Sequence, residues 1–61
     1  MRIFDSQKVL KGTVTGTLSL NSDDLPLRSV WETAERELKS EGAEREEELQ
    51  KYMEARGYLV E

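Results

Sequence analysis

Lys8-Val9-Leu10-Lys11-Gly12-Thr13-Val14-Thr15-Gly16-Thr17-Leu18-Ser19-Leu20 is the stretch that decides the fold. Its even positions are Leu10, Gly12, Val14, Gly16, Leu18 and Leu20, while its odd positions after Val9 are Lys11, Thr13, Thr15, Thr17 and Ser19. An apolar residue at every second place is the signature of a strand with one buried face, and Thr and Val suit a pleated surface. The alternation predicts a main strand over 13–20 and extended structure over 7–11. Gly12 and Gly16 fall on the apolar face, where a glycine marks a bulge, a bend or the close approach of another backbone. A turn at Lys11-Gly12, or one at Asp5-Ser6 returning Ile3-Phe4 beside the strand, would complete a short antiparallel ribbon or small sheet.

Asn21-Ser22-Asp23-Asp24 closes the strand with side chains that bond nearby backbone N–H groups, and Pro26 is tolerated in a first helical turn. Ser29 and Glu32 also fit a capping box, so a helix starts at Leu25 or at Val30; the earlier start is preferred. Leu27, Val30, Trp31, Ala34 and Leu38 form one apolar stripe at helical spacing. Glu32/Arg36, Glu35/Lys39, Glu41/Arg45 and Glu47/Lys51 form four acid-first i,i+4 pairs. A single helix over 27–56 would be about 45 Å long and would overhang a strand of eight residues, about 27 Å long. The reading therefore places a break at Gly42, as a left-handed helix end, with helices over 25–41 and 43–56. Gly57 stops the second helix, and residues 58–60 form a short closing strand or tail. The fold class is α+β, one domain over residues 1–61.

The chain has 61 residues, no cysteine and no histidine, with nine bases against thirteen acids for a net charge of −4. These counts exclude a disulfide, a thiolate metal site, a cysteine nucleophile and any imidazole acid, base or ligand. Ser and Thr have no His to activate them, no Lys sits on an apolar stripe, and no glycine-rich loop joins a strand to a helix. The expectation is a non-enzymatic protein without cofactor or metal. No apolar run approaches the roughly 18 residues of a membrane span, and residues 1–5 meet polar side chains at once, unlike a secretory leader. These features suggest a cytoplasmic protein with no membrane association. A domain this small buries only about 60 % of its unfolded surface, so self-association is expected, with a homodimer the simplest form.

Charge is unevenly placed: residues 1–22 carry a net +2 and residues 23–61 a net −6. An acidic body disfavours nucleic acid, whose phosphates require clustered Lys and Arg. Asp23 and Asp24 read as caps on a helix start, and Glu44, Glu46, Glu47 and Glu48 as a solvated helical face rather than a phosphate mimic. Trp31, Leu49, Tyr52, Met53 and Tyr58 are the candidate protein interface, although Trp31, sharing a stripe with Leu27 and Leu38, reads first as core filler and second as a hot spot. An unpaired edge of the main strand would offer a second docking mode, strand addition. The first functional reading is thus an inhibitor, adaptor or accessory subunit that binds a protein partner, itself or both.

Lys11, Thr13, Thr15 and Thr17 form a hydroxyl-rich face that two paired copies could lay in a DNA major groove. With the order strand, helix, glycine turn, helix over 13–56, the outline resembles a dimeric ribbon-helix-helix transcriptional regulator, and this is the alternative reading. The face lacks the Arg, Asn and Gln that make bidentate base contacts. Gly42-Ala43-Glu44 lacks the small hydroxyl or amide residue expected at the second helix start, and that helix opens with acids.

Overall fold

Two hairpin loops of the same design build the N-terminal third of the protein, in a computed structural model that describes residues 1–61. Strand β1 (Arg2–Phe4) turns into β2 (Leu10–Val14), and β2 turns into β3 (Leu20–Asn21). In the first loop Asp5 N–H donates to the Val9 carbonyl (3.0 Å) and Lys8 N–H to the Asp5 carbonyl (3.0 Å). In the second, ten residues on, Thr15 N–H donates to Ser19 (3.0 Å) and Leu18 N–H to Thr15 (2.9 Å). The fourth residue of each loop is left-handed, Lys8 at φ 65° and Leu18 at φ 62°. This is the three-residue hairpin loop, a turn followed by one residue at positive φ. First-position side chains fasten both loops. Asp5 Oδ1 accepts from the N–H groups of Gln7 (2.8 Å) and Val9 (3.0 Å), and Thr15 Oγ1 accepts from Ser19 N–H (3.2 Å).

The strand expected over 13–20 is therefore two strands folded back on each other, and residues 7–9 belong to a loop. Val14 pairs with Leu20. Their positions differ by six, an even number, so the apolar parity of one arm continues into the other. Turn and strand look alike in a period-two reading for that reason. The turn at Asp5-Ser6 is present, whereas Lys11-Gly12 lies inside β2. Gly12 marks a close approach: a Cβ there would stand 2.8 Å from Ser22 Cβ and 3.1 Å from Leu27 Cδ2. Beside it, Ile3 pairs with Gly12 but Phe4 pairs with Leu10, so Lys11 is the extra residue of a bulge.

Helix α1 (Leu25–Glu37) starts at the earlier of the two expected sites. Asp24 caps it, its Oδ1 accepting from Leu27 N–H (3.0 Å), and Ser29 is an interior residue. The helix ends four residues short of 41. Helix α2 (Gly42–Ala55) follows a loop over residues 38–41. The break at Gly42 is real, with φ at 63°, but the glycine opens α2 instead of ending α1. The end of α1 is held from outside by Arg45, whose guanidinium donates to the carbonyls of Glu35 (3.3 Å), Leu38 (3.3 Å) and Ser40 (3.2 Å). Arg45 is thus not paired with Glu41. Of the four expected i,i+4 pairs only Glu47–Lys51 forms (3.6 Å). Gly57 at φ 93° terminates α2, with Tyr58 N–H bonded to Met53 and Gly57 N–H to Glu54 (both 3.1 Å). That double bond at a left-handed glycine is the Schellman ending.

Strand β4 (Leu59–Val60) then pairs antiparallel with β1. The sheet order is β3-β2-β1-β4, antiparallel throughout, with both helices on one face. Ile3 and Val14 meet Leu27, Trp31 and Ala34 of α1 and Leu49 and Met53 of α2 in one core cluster. The radius of gyration is 10.4 Å, as a folded chain of this length should have, about 10.5 Å. Neither helix is long and apolar enough to cross a membrane.

Candidate functional site

The residues singled out as a protein interface divide by burial. Leu49 and Met53 are 0 % exposed and Trp31 2 %, so the folded protein keeps them inside as core. Tyr52 and Tyr58 are half-buried. The Arg56 guanidinium stacks 3.5 Å over the Tyr52 ring. The Tyr52 hydroxyl and Trp31 Nε1 are both enclosed without a hydrogen-bond partner. The one-stripe logic of a helix finds the side that is covered, and here it picked out the core.

The hydroxyl face does not assemble. Thr13 lies in β2, but Thr15 and Thr17 belong to the second loop and bond each other, Oγ1 to Oγ1, at 2.9 Å. Lys11 is spent on carboxylates, its Nζ 3.8 Å from Asp5 Oδ2 and 3.7 Å from Asp24 Oδ2. Strand β2 has β1 on one side and β3 on the other, so it has no free edge with which to pair a second copy into a two-stranded ribbon. The free edges belong to β3 and β4, two residues each, and edges so short offer little template for strand addition.

Lys11 instead ties the first hairpin loop to the start of α1, since Asp24 both caps that helix and faces the ammonium. The N–H group of Val9 is the main reason the Asp5 carboxyl is held below its ordinary 3.8; desolvation opposes it, and Gln7 N–H and then Lys11 add to the lowering. Tyr58 borders the same cluster. Burial pushes its hydroxyl above the ordinary 10.0, and the Asp24 carboxylate adds to the rise while Lys11 opposes it. The cluster is a structural clasp: every charged member has an opposite partner in it.

The largest concavity, about 660 Å³, lies between the second hairpin loop and the start of α2, where Glu35, Glu41 and Glu46 line it with Arg45. Its one cation is the guanidinium already committed to three carbonyls. A second hollow of about 260 Å³ is bordered by Arg28, Trp31, Glu32 and Glu35. Neither brings a nucleophile against a base, and no group of carboxylates is placed to hold a metal ion.

The open face of the sheet is different in kind. Side chains directly opposite in an antiparallel pair project to the same side. Ile3 faces the helices, so Phe4 faces away, together with its cross-strand partners Leu10 on β2 and Leu59 on β4. Leu10 is 51 % exposed and Leu59 41 %. The result is an apolar row, Leu10–Phe4–Leu59, running across three strands; its two ends are exposed, while Phe4 between them is half-buried with the Arg2 guanidinium 5.6 Å over its ring. The bulge at Lys11 creates it, because without the extra residue Leu10 would follow Gly12 and Val14 to the core side. The next row along the strands is polar: Asn21, Thr13, Arg2 and Glu61, joined by pairing of Asn21 with Thr13 and of Thr13 with Arg2. The backbone groups of Arg2 and Glu61 bond each other (2.8 and 2.9 Å), and Arg2 Nη2 meets Glu61 Oε1 at 2.7 Å. Sequence reading missed this face because Leu10 was assigned by parity to the inside and Phe4 and Leu59 lie in strands of two or three residues. No family model, curated protein or solved structure matches this chain.

Proposed function

We propose that the protein is a non-enzymatic interaction module, acting as an inhibitor, adaptor or accessory subunit, and that it docks through the open face of its sheet. The observation that carries this reading is the apolar row Leu10–Phe4–Leu59 on the open side of the sheet, exposed at Leu10 and Leu59. Scattered apolar residues are ordinary on a surface, but a contiguous apolar patch rimmed by polar side chains marks a contact site. Arg2, Thr13, Asn21 and Glu61 supply the rim. The partner is a protein, another copy of the chain or both. Nucleic acid fits poorly, because Arg2 and Lys11 are paired with carboxylates and the helical layer is strongly acidic.

The experiment is a paired capture from native lysate, with the natural chain and a Leu10→Thr/Leu59→Thr variant as baits. Threonine keeps the β-forming backbone preference while removing the apolar surface. The reading expects proteins retained by the natural chain and released by the variant. Identical sets on both baits contradict it.

A further inference from the structure

Resting on that reading, we infer that the occupant of the open sheet face is a second copy of this chain, packed face to face as a two-fold dimer with Phe4 at its centre. Charge placement selects this partner and this face. The helical layer and its approaches carry the excess acid, since residues 23–60 hold eleven acids and six bases, a net −5. Two copies meeting through their helices would bring like charge against like. The sheet face carries one guanidinium and one carboxylate, Arg2 and Glu61, about 60 % exposed each and bound to one another. Such a face is neutral, and docking it on itself leaves the two acidic layers on the outside, as far apart as the dimer allows.

The rows also fix the orientation. A two-fold axis lying along the apolar row stacks that row on its own copy, with Leu10 over Leu10, Phe4 over Phe4 and Leu59 over Leu59. The polar rows then fall on opposite flanks, and each Arg2, which reaches over its own Phe4 ring, keeps its own Glu61 as partner. An axis along the strands would set the two guanidiniums face to face. Only the first arrangement is self-complementary in both apolarity and charge, which is what an isologous contact demands. The two sheets would lie about 10 Å apart with their side chains interleaved, as in a sandwich. Four strands span only about 19 Å, so the buried surface falls below the ~800 Å² per partner of a standard interface, and the dimer is weak and concentration-dependent.

Sedimentation equilibrium of the full chain tests this, from about 10 μM to about 1 mM, the range in which weak association is read. The mass should climb from 7.0 kDa towards twice that value. Leu10→Thr/Leu59→Thr, with an unchanged far-ultraviolet circular dichroism spectrum, should weaken association by about tenfold or more. Leu25→Asp is the control: Leu25 is 71 % exposed but belongs to α1, and its variant should associate as the natural chain does. A natural chain that stays at 7.0 kDa to the top of the range overturns the dimer. So does association that survives the double substitution, or that Leu25→Asp abolishes. If the chain is monomeric while the paired baits still differ, the second copy is the wrong occupant and the docking face stands.

Discussion

Four glycines play different parts at the scale of single residues, and three of them make one test. Gly12 has no room for a methyl group, since Ser22 Cβ and backbone surround it and neither is a flexible chain end. Gly12→Ala should lower stability by about 1–3 kcal/mol through overpacking. Gly42 has open space around it but a φ of 63°, so Gly42→Ala should cost about 1–2 kcal/mol through backbone strain alone. Gly16 has open space and no such backbone, so Gly16→Ala should change stability by less than about 0.5 kcal/mol. Urea titrations of the three variants measure these differences, and equal losses at all three would contradict the assigned roles. Asp5 gives a second test. Its carboxyl is held down chiefly by the Val9 N–H group, so the folded state favours the charged form. That stability is present above the unfolded value of 3.8 and is lost as pH falls through the lower folded value. An acid melt should therefore show a loss below about pH 4 that Asp5→Asn reduces. Asp5→Asn with an unaltered acid limb would contradict it.

At the scale of elements, the helices and the fold class were legible and the strand pattern was not. Asp24, Pro26 and the Leu27–Trp31–Ala34 stripe carry α1 in their types and spacing, and Gly57 marks the end of α2 by itself. The hairpin over 15–19 was hidden because Val14 and Leu20 share parity across it, and because its left-handed position holds Leu18, a residue that reads as strand. Leu18 packs against the core from that loop, and its burial holds a backbone shape that leucine avoids. Arg45 was read as a partner for Glu41, yet it reaches back to three carbonyls at the end of α1. No sequence spacing encodes a contact that depends on how two helices are joined. Arg45→Ala should destabilise by about 1–2 kcal/mol, toward the low end of charge-assisted hydrogen bonding because the bonds are long and partly solvated. Amide exchange should quicken most over 35–40. Arg45→Lys should rescue little, since a single ammonium cannot span three acceptors. Full rescue by lysine would show that charge alone suffices.

At the scale of the whole molecule, the site was the least legible part. Amphipathic stripes reveal what faces the core, and for this chain they yielded Trp31, Leu49 and Met53, all of which the fold encloses. The open row depends on the bulge at Lys11 and on Leu59 returning from 55 residues away to lie beside Phe4 under long-range pairing, which local periodicity cannot carry. The fold also separates charge, leaving a neutral sheet face opposite an acidic helical layer. The most direct test of this division is the amide spectrum of the isotope-labelled chain, followed by nuclear magnetic resonance on dilution from about 1 mM to about 10 μM. The account predicts concentration-dependent shifts confined to residues 2–4, 9–13 and 59–61, with the exposed positions of both helices unmoved. Shifts centred on α1 or α2, or no shifts anywhere, would contradict it.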